Sequence, residues 1–187
     1  LQLARVCHRV EHTAANGLPL GAETNPRTFK SILVDIGLAS VRLGLSRLDL
    51  RDLDSVVWAN KGSLAEQFVG QHLRCLSRAF EDPRLFYWQP VAGRQSEIDY
   101  IIPHGNQSVP VEVKAGSAGA MKSLHAFMHR KKLHRALRLD TNPPSVQDLD
   151  VKTTTSEPVK YQLVSLPLYM VESIPPALHH ATDRGPS

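Results

Sequence analysis

Two carboxylates and a lysine set the chemistry open to this 187-residue chain: Asp99, then Glu112 and Lys114 separated by Val113. Placed on neighbouring strands, Asp99 and Glu112 come close enough to repel unless a cation lies between them. Hard oxygen donors of that kind select Mg²⁺ or Mn²⁺. The Val113 carbonyl is a further oxygen donor. Lys114 lies two residues after Glu112, on the same strand face. There it can position a water or neutralise a developing negative charge. A metal plus a lysine is the minimum equipment for phosphodiester hydrolysis. Glu66, further upstream, completes the set. The expected ligands are Glu66, Asp99 and Glu112, with Lys114 as the catalytic cation.

The elements that must position these groups are legible nearby. Glu97 to Ile102 alternates with period two, which puts Glu97 and Asp99 on one side of a strand. Pro103 to Asn106 reads as a hairpin loop, and Val109 to Lys114 as the returning strand. Pro110 cannot donate to a ladder and belongs near that strand's start. Leu85 to Trp88 reads as a preceding strand, with a turn at Gly93 to Gln95. Ahead of them Ala65, Phe68, Val69, His72, Leu73 and Leu76 recur at helical spacing, in a helix predicted from Ser63 to Ser77.

The flanks are less regular. Residues 1 to 30 read as irregular after a short helical start. Phe29 to Val34 is predicted as a strand, Asp35 as the cap of a helix from Ile36 to Leu43, and 46 to 56 as a charged amphipathic stretch. Downstream come a basic helix from Ala118 to Leu133 and a strand from Ala136 to Leu139. A poorly ordered loop follows over 140 to 160, where Pro143, Pro144, Thr153 to Thr155 and Pro158 cluster. A strand from Tyr161 to Leu166 and an extension over Leu168 to Val171 close the domain. The order of elements predicts an α/β fold, a mixed central sheet flanked by helices.

Each of these residues has a plainer account. Ser63 and Glu66 form a capping-box pattern, which explains Glu66 as well as a ligand role does. Asp99 and Glu112 can be surface carboxylates paired with basic residues, and Lys114 the partner of either. Glu97 is expected to face solvent beside the turn. Gly116 to Ser123 follows a strand and ends in Lys122-Ser123, but Met121 stands where a phosphate-binding loop needs glycine, so no ATP site is expected. The basic run His129 to Lys132, with Lys122, Arg135 and Arg138, suits either a nucleic-acid backbone or a solvated helix face.

Composition narrows the class. Hydrophobic residues make up 42% and charged residues 21%, which excludes collagen-like and wholly disordered chains. No apolar run approaches membrane-spanning length. The two cysteines, Cys7 and Cys75, are far apart, so neither a zinc site nor a disulfide scaffold is expected. Lys and Arg exceed Asp and Glu by 22 to 18, a mild excess that permits an anionic partner. With no signal or anchor in view, a cytoplasmic location is expected.

The arrangement of Asp99, a turn, Glu112-x-Lys114 and a preceding helical Glu66 resembles the core of the PD-(D/E)XK nuclease superfamily. The proline that superfamily carries before the aspartate is Ile98 here. The segments Thr13 to Glu23, Val34 to Leu38, Asn60 to Val69, Lys122 to Phe127 and Pro167 to Tyr169 resemble the C-terminal domain of unknown function of bacterial and archaeal AAA-type ATPases. The resemblance implies a restriction-endonuclease-like core over 58 to 172. It implies that 1 to 57 is what remains of a preceding winged-helix or linker segment. From composition, with no apolar content in Ala181 to Ser187 beyond Ala181, 173 to 187 is expected to be a disordered tail. The chain is then expected to be a fragment or truncated copy without its ATPase module. The function implied is Mg²⁺- or Mn²⁺-dependent phosphodiester hydrolysis or nucleic-acid binding. The alternatives are a non-catalytic protein or nucleic-acid interaction module, and a remnant without an independent role.

Overall fold

A computed structural model describes residues 1–44, 57–78, 80–90, 96–116 and 119–183. The amphipathic stretch 46 to 56, the turn at Gly93 to Gln95, the expected helix start at Ala118, and residues 184–187 lie outside the described residues.

Among the described residues eight strands form one mixed sheet. In chain order they are β1 (Cys7–Thr13), β2 (Thr24–Leu33), β3 (Leu85–Trp88), β4 (Ile98–His104), β5 (Gln107–Val113), β6 (Arg135–Asp140), β7 (Ser145–Lys152) and β8 (Pro158–Pro167). Their spatial order is β2-β1-β3-β4-β5-β6-β8-β7. The antiparallel run β3-β4-β5 sits at the centre, and β5, β6 and β8 run parallel to one another. A parallel step needs a crossover. Between β5 and β6 that crossover carries the helix α3 (Lys122–Lys131), which follows α1 (Ile36–Arg42) and α2 (Val57–Cys75) in the chain and precedes α4 (Ile174–Asp183).

Both sheet faces are covered. On one, Ala65, Val69 and Leu73 of α2 and Ile174, Leu178 and Ala181 of α4 pack on Val109, Val111 and Val113. On the other, Leu124, Phe127 and Met128 of α3 meet Trp88, Ile98 and Ile101. The expected α/β class, with a mixed sheet between helices, is what the structure shows.

Several local expectations are corrected. The first thirty residues are not irregular, because β1 lies between β2 and β3 and pairs with both. Only Val10 and Thr13 of β1 are fully buried, so pairing rather than apolar alternation defines that strand. The stretch 140 to 160 holds β7, a polar edge strand paired to β8 over its whole length. Its charged side chains suit an exposed edge, and the prolines lie before it or at the start of β8. The presumed tail forms α4, which buries Ile174, Leu178 and Ala181 along one stripe. Pro175 and Pro176 occupy its first turn, where a missing N–H removes no intrahelical bond. Asp35 does cap α1, accepting from the N–H groups of Gly37 and Leu38.

Candidate functional site: a carboxylate cluster beside two lysines

Strand register brings the central residues together. Tyr100 of β4 pairs with Val111 of β5, the last pair of the ladder before Asp99 and Glu112. Here the ladder opens: Asp99 Oδ2 accepts the Val113 N–H at 2.7 Å, so a side chain replaces a backbone acceptor. Beyond that point the Lys114 N–H donates to the Leu139 carbonyl of β6 at 2.8 Å, which fixes where the lysine leaves the sheet. Its stem passes Gly119, where φ is +154° and an added Cβ would sit 3.0 Å from Lys114 Cδ.

Helix α2 supplies Glu66. It lies close on the sheet because Gly70 has no Cβ, and one built there would fall 2.3 Å from Tyr100 Oη. Burial raises the Tyr100 phenol far above its usual range, which keeps it a donor. It donates to the Glu66 carbonyl at 2.8 Å and ties that turn of α2 to β4. Because α2 begins at Val57, Ser63 lies inside the helix and the capping-box account of Glu66 fails. Gln67, one residue on, is bonded twice to Leu33 of β2: its Oε1 accepts the N–H at 2.8 Å and its Nε2 donates to the carbonyl at 2.7 Å. This clamp carries Lys30 of β2 into the site.

Carboxylate oxygens of Glu66, Glu97 and Asp99 all lie within 4.8 Å of one another. Glu97 is thus not a solvent-facing residue of the turn. It is half-buried and paired directly with Lys30, whose Nζ also stands 3.5 Å from Glu66. Glu112 is outside this trio. Its side chain is 7% exposed and pairs with Lys114 at 2.5 Å through Oε1. Glu112 Oε2 is buried without a hydrogen-bond partner. The structure therefore joins Glu66 to Asp99 and Glu112 to Lys114, and adds Glu97 and Lys30, which sequence reasoning missed. For Glu97 the signal existed, since it shares a strand side with Asp99. For Lys30 there was none, because its place depends on a strand 69 residues before Asp99 and on the Gln67 clamp.

The crowding is visible in the proton affinities. Burial, then the charges of Glu66 and Glu112, pushes Asp99 up to about 8, against the Val113 hydrogen bond and Lys30. Burial also raises Glu112, with Lys114 opposing it and Glu66 adding to it. For Lys30 burial acts downward, but Glu66, Glu97 and Asp99 outweigh it and the net direction is up. An all-oxygen set with a buried, unpartnered carboxylate oxygen beside it fits a hard divalent cation.

An apolar recess of about 370 Å³ adjoins the site, lined by Leu64, Phe68, Ala115, Leu168 and Tyr169 among others. The basic run is largely engaged elsewhere. Lys131 Nζ donates to the Ala14 carbonyl and to Asn16 Oδ1, His129 contacts the Pro158 carbonyl, and Arg130 lies over Trp88.

Fold and site together define an α/β domain with a half-buried acidic centre where β4, β5 and α2 meet. A family model described as Domain of unknown function (DUF4143) matches residues 61–169, more than half of the chain, and the chain belongs to that family. The matched span contains Glu66, Glu97, Asp99, Glu112 and Lys114 and leaves out Lys30. Nothing among curated proteins or solved structures matches the chain significantly. Among the described residues no helix is long and apolar enough to cross a membrane.

Proposed function

We propose that this chain is the nuclease-fold domain of an AAA-type ATPase-family protein, and that it hydrolyses phosphodiester bonds with Mg²⁺ or Mn²⁺. The observation that carries this is the gathering of Glu66, Glu97 and Asp99 oxygens within 4.8 Å of one another, with the Glu112–Lys114 pair on the neighbouring strand. Half-buried carboxylates this close repel one another. Glu66, Glu97 and Asp99 would hold the cation, with Glu112, paired to Lys114, beside them. When bound, the cation supplies Lewis acidity to a phosphoryl oxygen and lowers the pKa of a bound water. The chain's own part is positional. Val113 N–H orients Asp99, Tyr100 orients the Glu66 turn, and Lys114 presents an ammonium to charge developing on the phosphate. The likeness to the PD-(D/E)XK core supports the same reading, and the further segments resembling AAA-type ATPase C-terminal domains support the larger context.

One observation favours a second reading, a non-catalytic interaction module on the same fold. The Lys30 ammonium already sits among Glu66, Glu97 and Asp99, where it neutralises part of their charge. The experiment that decides is cleavage of labelled single- and double-stranded DNA and RNA in Mn²⁺, with Asp99→Asn and Lys114→Ala alongside. Metal-dependent cleavage abolished in both variants supports the enzyme. No cleavage under conditions where Mn²⁺ binding is measured refutes it and leaves the module.

A further inference from the structure

We propose that a second cavity, lined by arginines on the β1–β2 side of the sheet, binds a phosphate group. It encloses about 620 Å³, within the usual size of small-ligand sites, and shares no lining residue with the carboxylate cluster. Arg5, Arg9, Arg74 and Arg84 line it, facing the acids Glu11 and Asp82. Arg84 and Glu11 satisfy each other through two hydrogen bonds, at 3.1 and 2.7 Å. Three guanidinium groups then face one carboxylate, a surplus equal to the charge of a phosphate dianion.

The surplus is held in place. Arg9 donates to the Pro26 carbonyl at 3.1 Å and lies 3.8 Å above the Phe29 ring, and its Nε is buried without a partner. Arg74, half-buried at the end of α2, is anchored on the Pro83 carbonyl at 2.8 Å. Both are positioned before any ligand arrives, and a planar fork of donors matches phosphate oxygens. The neighbouring groups are partly desolvated. Burial and then Arg74 lower the His8 imidazole, with Arg5 adding and Asp82 opposing. Burial lowers Arg74 as well, despite Asp82. An anion entering here gains charge-assisted bonds to groups already partly stripped of water.

Phosphate can arrive free, on a mononucleotide, or within a nucleic-acid backbone. Calorimetric titration in EDTA and physiological salt should use three probes: inorganic phosphate, a 5′-phosphorylated mononucleotide, and an oligonucleotide without terminal phosphate. At least one is expected to bind the wild-type protein, and the one that does identifies the source. Arg5 is exposed, so Arg5→Gln keeps the fold and should weaken that binding about tenfold. Arg74→Gln should weaken it at least as much. Asp99→Asn should leave it unchanged, which separates this site from the proposed nuclease centre. Absence of binding by all three probes, or binding equal in wild type and both arginine variants, would overturn the proposal.

Discussion

Asp99→Asn should stabilise the metal-free protein. The substitution keeps the side-chain shape, and the amide oxygen can still accept the Val113 N–H that Asp99 Oδ2 accepts at 2.7 Å. What it removes is a charge the fold disfavours. Asp99 moves from 3.8 unfolded to about 8 folded, a difference of about four pH units. At about 1.4 kcal/mol per unit the ceiling is about 6 kcal/mol. Relaxation in an effective dielectric nearer 20 than 4 brings the observable gain to about 1–3 kcal/mol. Because the folded pKa is the higher one, the folded state holds a proton that the unfolded state has released between pH 3.8 and about 8. The wild-type carboxyl therefore loses stability as pH rises through that window. The asparagine variant has no such slope, so the two curves should diverge from pH 4 and run parallel above pH 8. Urea unfolding in EDTA from pH 4 to 9 measures this directly. Millimolar Mn²⁺ at pH 8 should reverse the order, since a cation bound only by the folded state stabilises the protein that retains its ligands. An Asp99→Asn protein less stable than wild type at pH 8 in EDTA would refute the reasoning.

Lys30→Gln removes a positive charge from beside the carboxylates. Mn²⁺ should then bind about tenfold tighter in a calorimetric titration, a gain of about 1.4 kcal/mol. Gly70→Ala places a methyl 2.3 Å from Tyr100 Oη and should destabilise by about 1–3 kcal/mol in urea unfolding, with part of the loss recovered in the double variant with Tyr100→Phe. Leu178→Ala cuts into a buried face of α4 and should cost about 2–5 kcal/mol by the same measurement, whereas a disordered tail would show no effect.

The legible parts of this protein were those fixed by local pattern. Period-two alternation over 97 to 102 and 109 to 114 located β4 and β5 within a residue or two, and Asp35 marked the start of α1 correctly. What failed were elements whose order comes from distant partners. His8, Arg9, Glu11 and His12 say little about a strand, yet β1 is held by β2 on one side and β3 on the other. The helix α4 carries two prolines and three histidines or aspartates, and only its docking stripe makes it stable. Glu66 was read equally as a cap and a ligand because Ser63 is a good helix-starting residue. The helix overrode that signal by beginning six residues earlier. The site was half legible for the same reason. Asp99, Glu112 and Lys114 follow from one hairpin, while Glu97 needed the depth of the cluster and Lys30 the Gln67–Leu33 clamp.

That clamp bears on how the site is balanced. Three carboxylates, Glu66, Glu97 and Asp99, gather about the Lys30 ammonium, and Glu112 pairs with Lys114 beside them. With every group ionised, two negative charges remain, the complement of one divalent cation. The two lysines do different work within this balance. Lys114 is paired with Glu112, and its backbone N–H is held by the Leu139 carbonyl of β6. Lys30 comes from a strand far from the sheet centre and reaches the cluster by a flexible stem. Its ammonium also lies 5.1 Å over the Tyr87 ring. Lys30 thus offsets part of the carboxylate repulsion, and on the proposed function it is the charge a divalent cation would have to replace. The strands before α2 therefore contribute to the chemistry of the site, through a residue that lies outside the span the family shares.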